Sequence, residues 1–167
     1  LSNFNLSVPG DPSTAAFFAA TAAIVPESEI ILNGILRNPS RIGFYSALQK
    51  MGAGMDCLDT WEEAGETIGK LKVFHQPLNS ITITKDDVPG LIDELPIIAI
   101  LATQANGKSE ICGAEELRVK ECDRIYAVCK NLNKKTLKVA DSQVSNRWGN
   151  ILDFKNFDLI LPNEKEA

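Results

Sequence analysis

Two stretches of this chain can be laid over one another with almost no gaps. GDPSTAAFFAATAAIVPESEIILNGILRNPSRIGFYSALQKMG, beginning at Gly10, matches LIDELPIIAILATQANGKSEICGAEELRVKECDRIYAVCKNLN, beginning at Leu91, and the register brings Arg41 near Arg124. A repeat of this kind constrains the fold more tightly than composition does. Each copy must be one supersecondary unit that buries its apolar face against the next.

In the first copy Asp11-Pro12 supplies a cap carboxylate and a proline at the first helical position. This predicts a helix over residues 12–25, apolar nearly all round and therefore buried. SEIILNGIL reads as a strand. Asn38-Pro39 repeats the cap-then-proline signal before a second helix, in which Ile42, Tyr45, Leu48 and Met51 are spaced by three. MDCLDTW and KLKVFHQPL read as strands joined by EEAGETIG as an exposed turn. The order then returns: ITI as strand, PGLIDELPIIAILATQA as helix, GKSEICG as strand, and a helix running on from VKECDRIYAVCKNL. Units of this order predict a repeated α/β architecture rather than a sandwich or a bundle. After Asn133 the repeat fails, although TLKVAD and FDLILP are strand-like around the polar SQVSNRWGN. Residues 1–132 and 133–167 are therefore read as separate parts.

Seventeen basic against twenty-two acidic residues give a net charge of −5, so composition offers no broad surface for a polyanion and any anion site must be local. No apolar run approaches the roughly 20 residues of a membrane span, and LSNFNLSVPGD lacks the regions of a signal peptide. The expectation is a soluble, cytoplasmic protein with no nucleic-acid or membrane partner. Cys57, Cys112, Cys122 and Cys129 form no CxxC pair and His75 is the one histidine, which leaves little from which to build a metal site. Neither metal nor cofactor is expected. The thiols read as reduced and mostly buried, with Cys122 partly exposed, and His75 as structural.

The densest charge lies in ELRVKECDR, residues 116–124, where six of nine side chains are charged. Met alone, such a cluster is a solvated first helical turn with ion pairs. On a helix, however, Lys120 and Arg124 would project from one face with Glu121 beside them, at an end whose unpaired N–H groups favour anions. Arginine grips a carboxylate or phosphate through two parallel hydrogen bonds. A carboxylate shuttles protons near neutral pH only if its pKa is lifted by burial or by a neighbouring acid.

GDPSTAAFFAATAAIVP, RNPSRIGFYSALQKMGA, VPGLIDELPIIAILATQANG and AEELRVKECDRI occur in the order and spacing of 5-enolpyruvylshikimate 3-phosphate synthase, which residues 6 to about 130 resemble. The resemblance implies two domains of three βαβαββ units each, in the inverse α/β-barrel-like fold of the enolpyruvyl transferases, here incomplete. It implies transfer of the enolpyruvyl group of phosphoenolpyruvate to the 5-hydroxyl of shikimate 3-phosphate, on the way to the aromatic amino acids. It also assigns roles: Asp93 as proton acceptor at that hydroxyl, Lys120 as a ligand of shikimate 3-phosphate, Glu121 as the acid at the phosphoenolpyruvate methylene, and Arg124 as a phosphoenolpyruvate ligand. Asp93 has a competing reading as a helix cap before Pro96. Family members more often read VKESDR or VKETDR, so Cys122 is a departure that leaves its neighbours in place. The lysine-serine segment, the second domain and the later DHR motif have no counterpart here, which leaves open a separate chain that supplies them and predicts that this chain alone is inactive. Two alternatives stand beside this reading: the UDP-N-acetylglucosamine enolpyruvyl transferase, which shares the repeats, and a non-catalytic α/β remnant or binding module. FDLILPNEKEA in the tail resembles a ribokinase-like sugar kinase segment, with Asn163 and Glu166 in its Asn-x-x-Glu pattern.

Overall fold

The computed structural model describes residues 7–132 and the backbone of two further strands, Val139–Asp141 and Leu159–Leu161. The chain divides into two compact units, residues 1–114 and 115–167.

The first unit opens with α1 (Pro12–Ile24), where Asp11 is extended and its carboxylate accepts from the Ser13 and Thr14 amides at 3.3 and 3.0 Å. β1 (Glu29–Leu36), α2 (Gly43–Lys50), β2 (Gly54–Glu63) and β3 (Glu66–Phe74) follow, then β4 (Thr82–Ile83), α3 (Leu95–Ala102) and β5 (Glu110–Ile111). β3 is the centre of an antiparallel sheet in the order β1-β3-β2, and β4 pairs with β5 in parallel. The repeat is legible in this topology. Gly10 bridges Ile35 in parallel across α1, with the Gly10 amide donating to Gly34 O at 2.7 Å, and β4 and β5 are joined in parallel across α3. Each copy thus contains one helical crossover between parallel strands. The α/β repeat expected from the sequence is present.

The core lies under the sheet. Ile68, Leu71 and Val73 of β3, Phe44, Tyr45, Leu48 and Met51 in and beside α2, and Leu95, Ile98 and Leu101 of α3 are all buried, and α1 packs against β1, β3, α2 and α3. β2 is an edge strand that carries Asp56, Asp59, Glu62 and Glu63, charges that discourage pairing with another chain.

Several local expectations need correction. α1 is buried along its alanines, with Ala16, Ala19 and Ala23 fully inside, yet Phe17 and Phe18 remain 62% and 57% exposed. The small residues form the inward face because they let α1 approach β1, α2 and α3 closely, which places the two rings outward. Asn38-Pro39 does not start a helix. Asn38 Oδ1 accepts from the Ser40 amide and hydroxyl at 3.0 and 2.8 Å in a side-chain turn, and α2 begins at Gly43 with no side-chain cap at Ile42. EEAGETIG is mostly strand, since only Ala64 and Gly65 form the turn, both with positive φ (52° and 83°). Cys57, Cys112 and Cys122 are exposed and Cys129 is half-buried, so the thiols are not core residues. His75 keeps its structural role, its Nδ1 lying 2.9 Å from Ala23 O.

In the second unit a 3-10 turn (Glu115–Arg118) precedes α4 (Arg124–Asn131), and β6 (Val139–Asp141) pairs in parallel with β7 (Leu159–Leu161). These two strands fall within TLKVAD and FDLILP. Asn163 and Glu166, and with them most of the tail's likeness to a sugar kinase, lie outside the described residues.

The chain between β4 and α3 is fixed by one carboxylate. Asp87 accepts from the Thr84 hydroxyl and amide at 2.6 and 2.9 Å and pairs with Lys50 of α2 at 3.3 Å. The Thr84 hydroxyl first, then its amide and Lys50, push the Asp87 carboxyl down to about 2 from an ordinary 3.8.

Two predictions follow from these turns. A two-residue hairpin with both φ positive prefers Asn-Gly, and an alanine held left-handed is strained. Ala64→Asn should therefore stabilise the protein by roughly 0.5–1 kcal/mol, read as a higher urea midpoint at unchanged slope. For Asp87 the folded carboxyl binds its proton less tightly than the unfolded one. Its stabilisation is complete above about pH 4 and is lost as the pH falls through about 2. Asp87→Asn should flatten the loss of stability across that window, measured by urea unfolding at stepped pH.

Candidate active site

Asp93 sits in the first unit on a segment of two successive 3-10 turns, Val88–Gly90 and Ile92–Glu94, hinged at Leu91 and leading directly into α3. The alternation of this segment aims the side chain. Leu91, Glu94 and Leu95 are buried, and Asp93 between them is exposed. The N-cap position of α3 is Glu94, which makes no side-chain capping bond, so Asp93 stands one residue before the cap position that the competing reading gave it.

Asp93 lines a cavity of ≈ 170 Å³ together with Ser13, Ser40, Arg41 and Glu94. In the sequence Arg41 carries no assigned role beyond its register with Arg124. The Arg41 guanidinium reaches Asp11 Oδ1 at 3.2 Å and Ser13 Oγ at 3.4 Å, which ties the start of α1 to the same cavity wall. The alignment of Arg41 with Arg124 was the signal that could have drawn attention to it. Asp11 is held below the usual carboxylate range, chiefly by the Thr14 hydroxyl. Glu94, 5% exposed, brings a second carboxylate to the cavity that no sequence feature singled out. Burial first, then the charges of Glu94 and Asp11, push the Tyr45 phenol well above its ordinary value, and its hydroxyl donates to Pro12 O at 2.9 Å.

Lys120, Glu121 and Arg124 belong to the second unit. The expectation that Lys120 and Arg124 share one helical face is not met. Asp123 is extended and accepts from the Tyr126 amide at 2.9 Å, and this cap starts α4 at Arg124, leaving Lys120 and Glu121 on the preceding bend. Arg118 supports the cap through its 2.9 Å pair with Asp123. Arg124 is the first helical residue, and its guanidinium pairs with Glu121 at 2.7 Å. Lys120 and Glu121 are exposed, whereas the Arg124 side chain is only 24% exposed. Glu121 is held below the usual carboxylate range, by its own backbone N–H first, then by Arg124 and more weakly by Lys120. In this state it is an acceptor and an ion-pair partner rather than a proton donor. A guanidinium and an ammonium beside a helix N-terminus suit a phosphate or carboxylate ligand.

The sequence profile of the family described as EPSP synthase (3-phosphoshikimate 1-carboxyvinyltransferase) matches residues 1–145. A 3-phosphoshikimate 1-carboxyvinyltransferase of Persephonella marina is 46% identical over 142 residues, which cover 84% of this chain and 33% of the relative. One from Campylobacter jejuni subsp. doylei is 48% identical over 128 residues, 77% of this chain and 29% of its own length. Among solved structures, an EPSP synthase from Acinetobacter baumannii superposes with a TM-score of 0.75 at 38% identity, covering 79% of this chain and 30% of that one. The chain spans about a third of the length of the curated relatives it matches. With its repeats folded as α/β crossovers and its profile matched from residue 1 to residue 145, the chain belongs to the EPSP synthase family.

Proposed function

We propose that this chain carries part of the active site of an enzyme that transfers the enolpyruvyl group of phosphoenolpyruvate to the 5-hydroxyl of shikimate 3-phosphate, releasing phosphate, in aromatic amino acid biosynthesis. The observation that carries the reading is the family match over residues 1–145, which contains every motif assigned a role. In this reading Asp93 takes the proton of the attacking hydroxyl and Lys120 binds shikimate 3-phosphate. Arg124 holds phosphoenolpyruvate, and Glu121 delivers a proton to its methylene and removes one as the carbon–oxygen bond to phosphate breaks. Residues 1–132 form the contributing portion of the domain. The remaining parts of the cleft would come from the other two thirds of such an enzyme, and the relatives give no support to a separate chain as their source. For the tail, the likeness to a ribokinase-like segment rests on FDLILPNEKEA, which lies beyond the family match ending at residue 145.

The low proton affinity of Glu121 fits this scheme if phosphoenolpyruvate draws Arg124 away from it on binding. Arg124→Ala should raise the Glu121 pKa, because two of the influences that lower it come from that guanidinium. Carboxyl-carbon NMR across a pH titration reads the shift, and an unchanged Glu121 would sink the idea.

Transfer requires two anions held in attack geometry with water excluded, and such positioning supplies roughly 7–11 kcal/mol of a barrier. The 167-residue chain alone should therefore bind shikimate 3-phosphate weakly and release no phosphate from the two substrates. Joined in place of the matching third of the Persephonella marina relative, residues 1–145 should support turnover, and Asp93→Asn or Glu121→Gln should lower kcat by about 10²-fold or more. A chimera that turns over equally well with Asp93→Asn would overturn the assignment.

A further inference from the structure

The segment that carries Asp93 is gripped at two points by α2. At the C-terminal end of that helix Lys50 pairs with Asp87 at 3.3 Å. At its first residue the grip is steric. A Cβ built on Gly43 would lie 2.4 Å from Gly90 O, 2.7 Å from Gly90 C and 3.1 Å from Leu91 Cβ. The first two are backbone atoms and cannot swing aside, so any side chain at position 43 forces the start of α2 and the 88–94 turn apart. Gly90 is not under the same constraint, because a Cβ there would meet Gly43 Cα and Ser40 O at 3.9 Å, ordinary contact. Only one of the two facing glycines is therefore required by space.

The displacement would be passed on to Asp93. Leu91 and Leu95 are anchored in the core, and Asp93 is the exposed residue between these anchors. Two successive 3-10 turns leave little slack between Gly90 and Glu94. We propose that Gly43 is a positioning residue for Asp93: the bare start of α2 sets the height of the 88–94 turn and so the placement of the Asp93 carboxylate at the cavity it shares with Arg41. The inference rests on the reading of Asp93 as acceptor of a substrate hydroxyl. A shift of about 1 Å in such a group is enough to cost about a hundredfold.

The test uses the ¹⁵N-labelled 167-residue chain and its Gly43→Ala, Gly90→Ala and Asp93→Asn variants, each titrated with shikimate 3-phosphate well below melting. Gly43→Ala should shift the amides of Leu91 to Glu94, leave those of the β2–β3 hairpin in place, and weaken binding at least tenfold. Gly90→Ala should leave both the amides and the affinity within about twofold of the parent. Asp93→Asn should weaken binding without moving the turn. A loss of stability alone would not produce selective shifts at 91–94 with the hairpin unchanged. Equal effects of Gly43→Ala and Gly90→Ala, or weakened binding in Asp93→Asn with none in Gly43→Ala, would overturn the inference while the functional reading stands. Binding that Asp93→Asn does not affect overturns the functional reading instead. Should Gly43→Ala not fold, the parent still decides: proton contacts between Gly43 and the Gly90-Leu91 backbone are expected, and their absence rules the grip out.

Discussion

The first unit depends on how closely one helix can approach its neighbours. α1 meets β1, β3, α2 and α3 at once, and it does so through Ala16, Ala19 and Ala23, which leave no side-chain bulk at the contact. A larger residue on that face would separate the helix from the sheet and open space around Phe44 and Leu48, where voids are costly. Because α1 is drawn in, its capped N-terminus is held against the rest of the unit. Asp11 reaches Arg41, Tyr45 reaches Pro12 O, and the cavity wall that Arg41 shares with Asp93 is set by these bonds. The placement of a candidate acid–base group thus traces back to a row of alanines.

Charge is distributed differently in the two units. Around Asp93 it is mixed, with Arg41, itself paired to Asp11, and the buried Glu94 on the same cavity. Around Arg124 it is balanced by short-range ion pairs, Arg124 with Glu121 and Arg118 with Asp123, with Lys120 beside them. An ion pair with so exposed a carboxylate exchanges readily with water and contributes little to stability.

Much of this was legible in the sequence, for reasons that are local. Asp11-Pro12 fixes a helix start because cap and proline act on the same turn, and the repeat pointed to an α/β architecture in both copies. The errors arose where a local signal had more than one outcome. Asn38-Pro39 carries the same residue types as a helix start, but the asparagine side chain satisfied Ser40 instead. In VKECDRI the charge spacing suggested a helix from Lys120, whereas Asp123 is the residue able to cap and the helix waits for it. Cavity membership of Arg41 and Glu94, the close approach of Gly43 to Gly90 and the outward turn of Phe17 and Phe18 depend on contacts between distant segments. No window of sequence contains them.

The account's central claim is that Asp93 meets the hydroxyl of shikimate 3-phosphate. Crystals grown with that ligand test it most directly. The account predicts the Asp93 carboxylate within about 2.6–3.2 Å of the 5-hydroxyl oxygen, the reach needed to accept its proton. A ligand seated elsewhere, with Asp93 making only bonds to its own backbone, would contradict it.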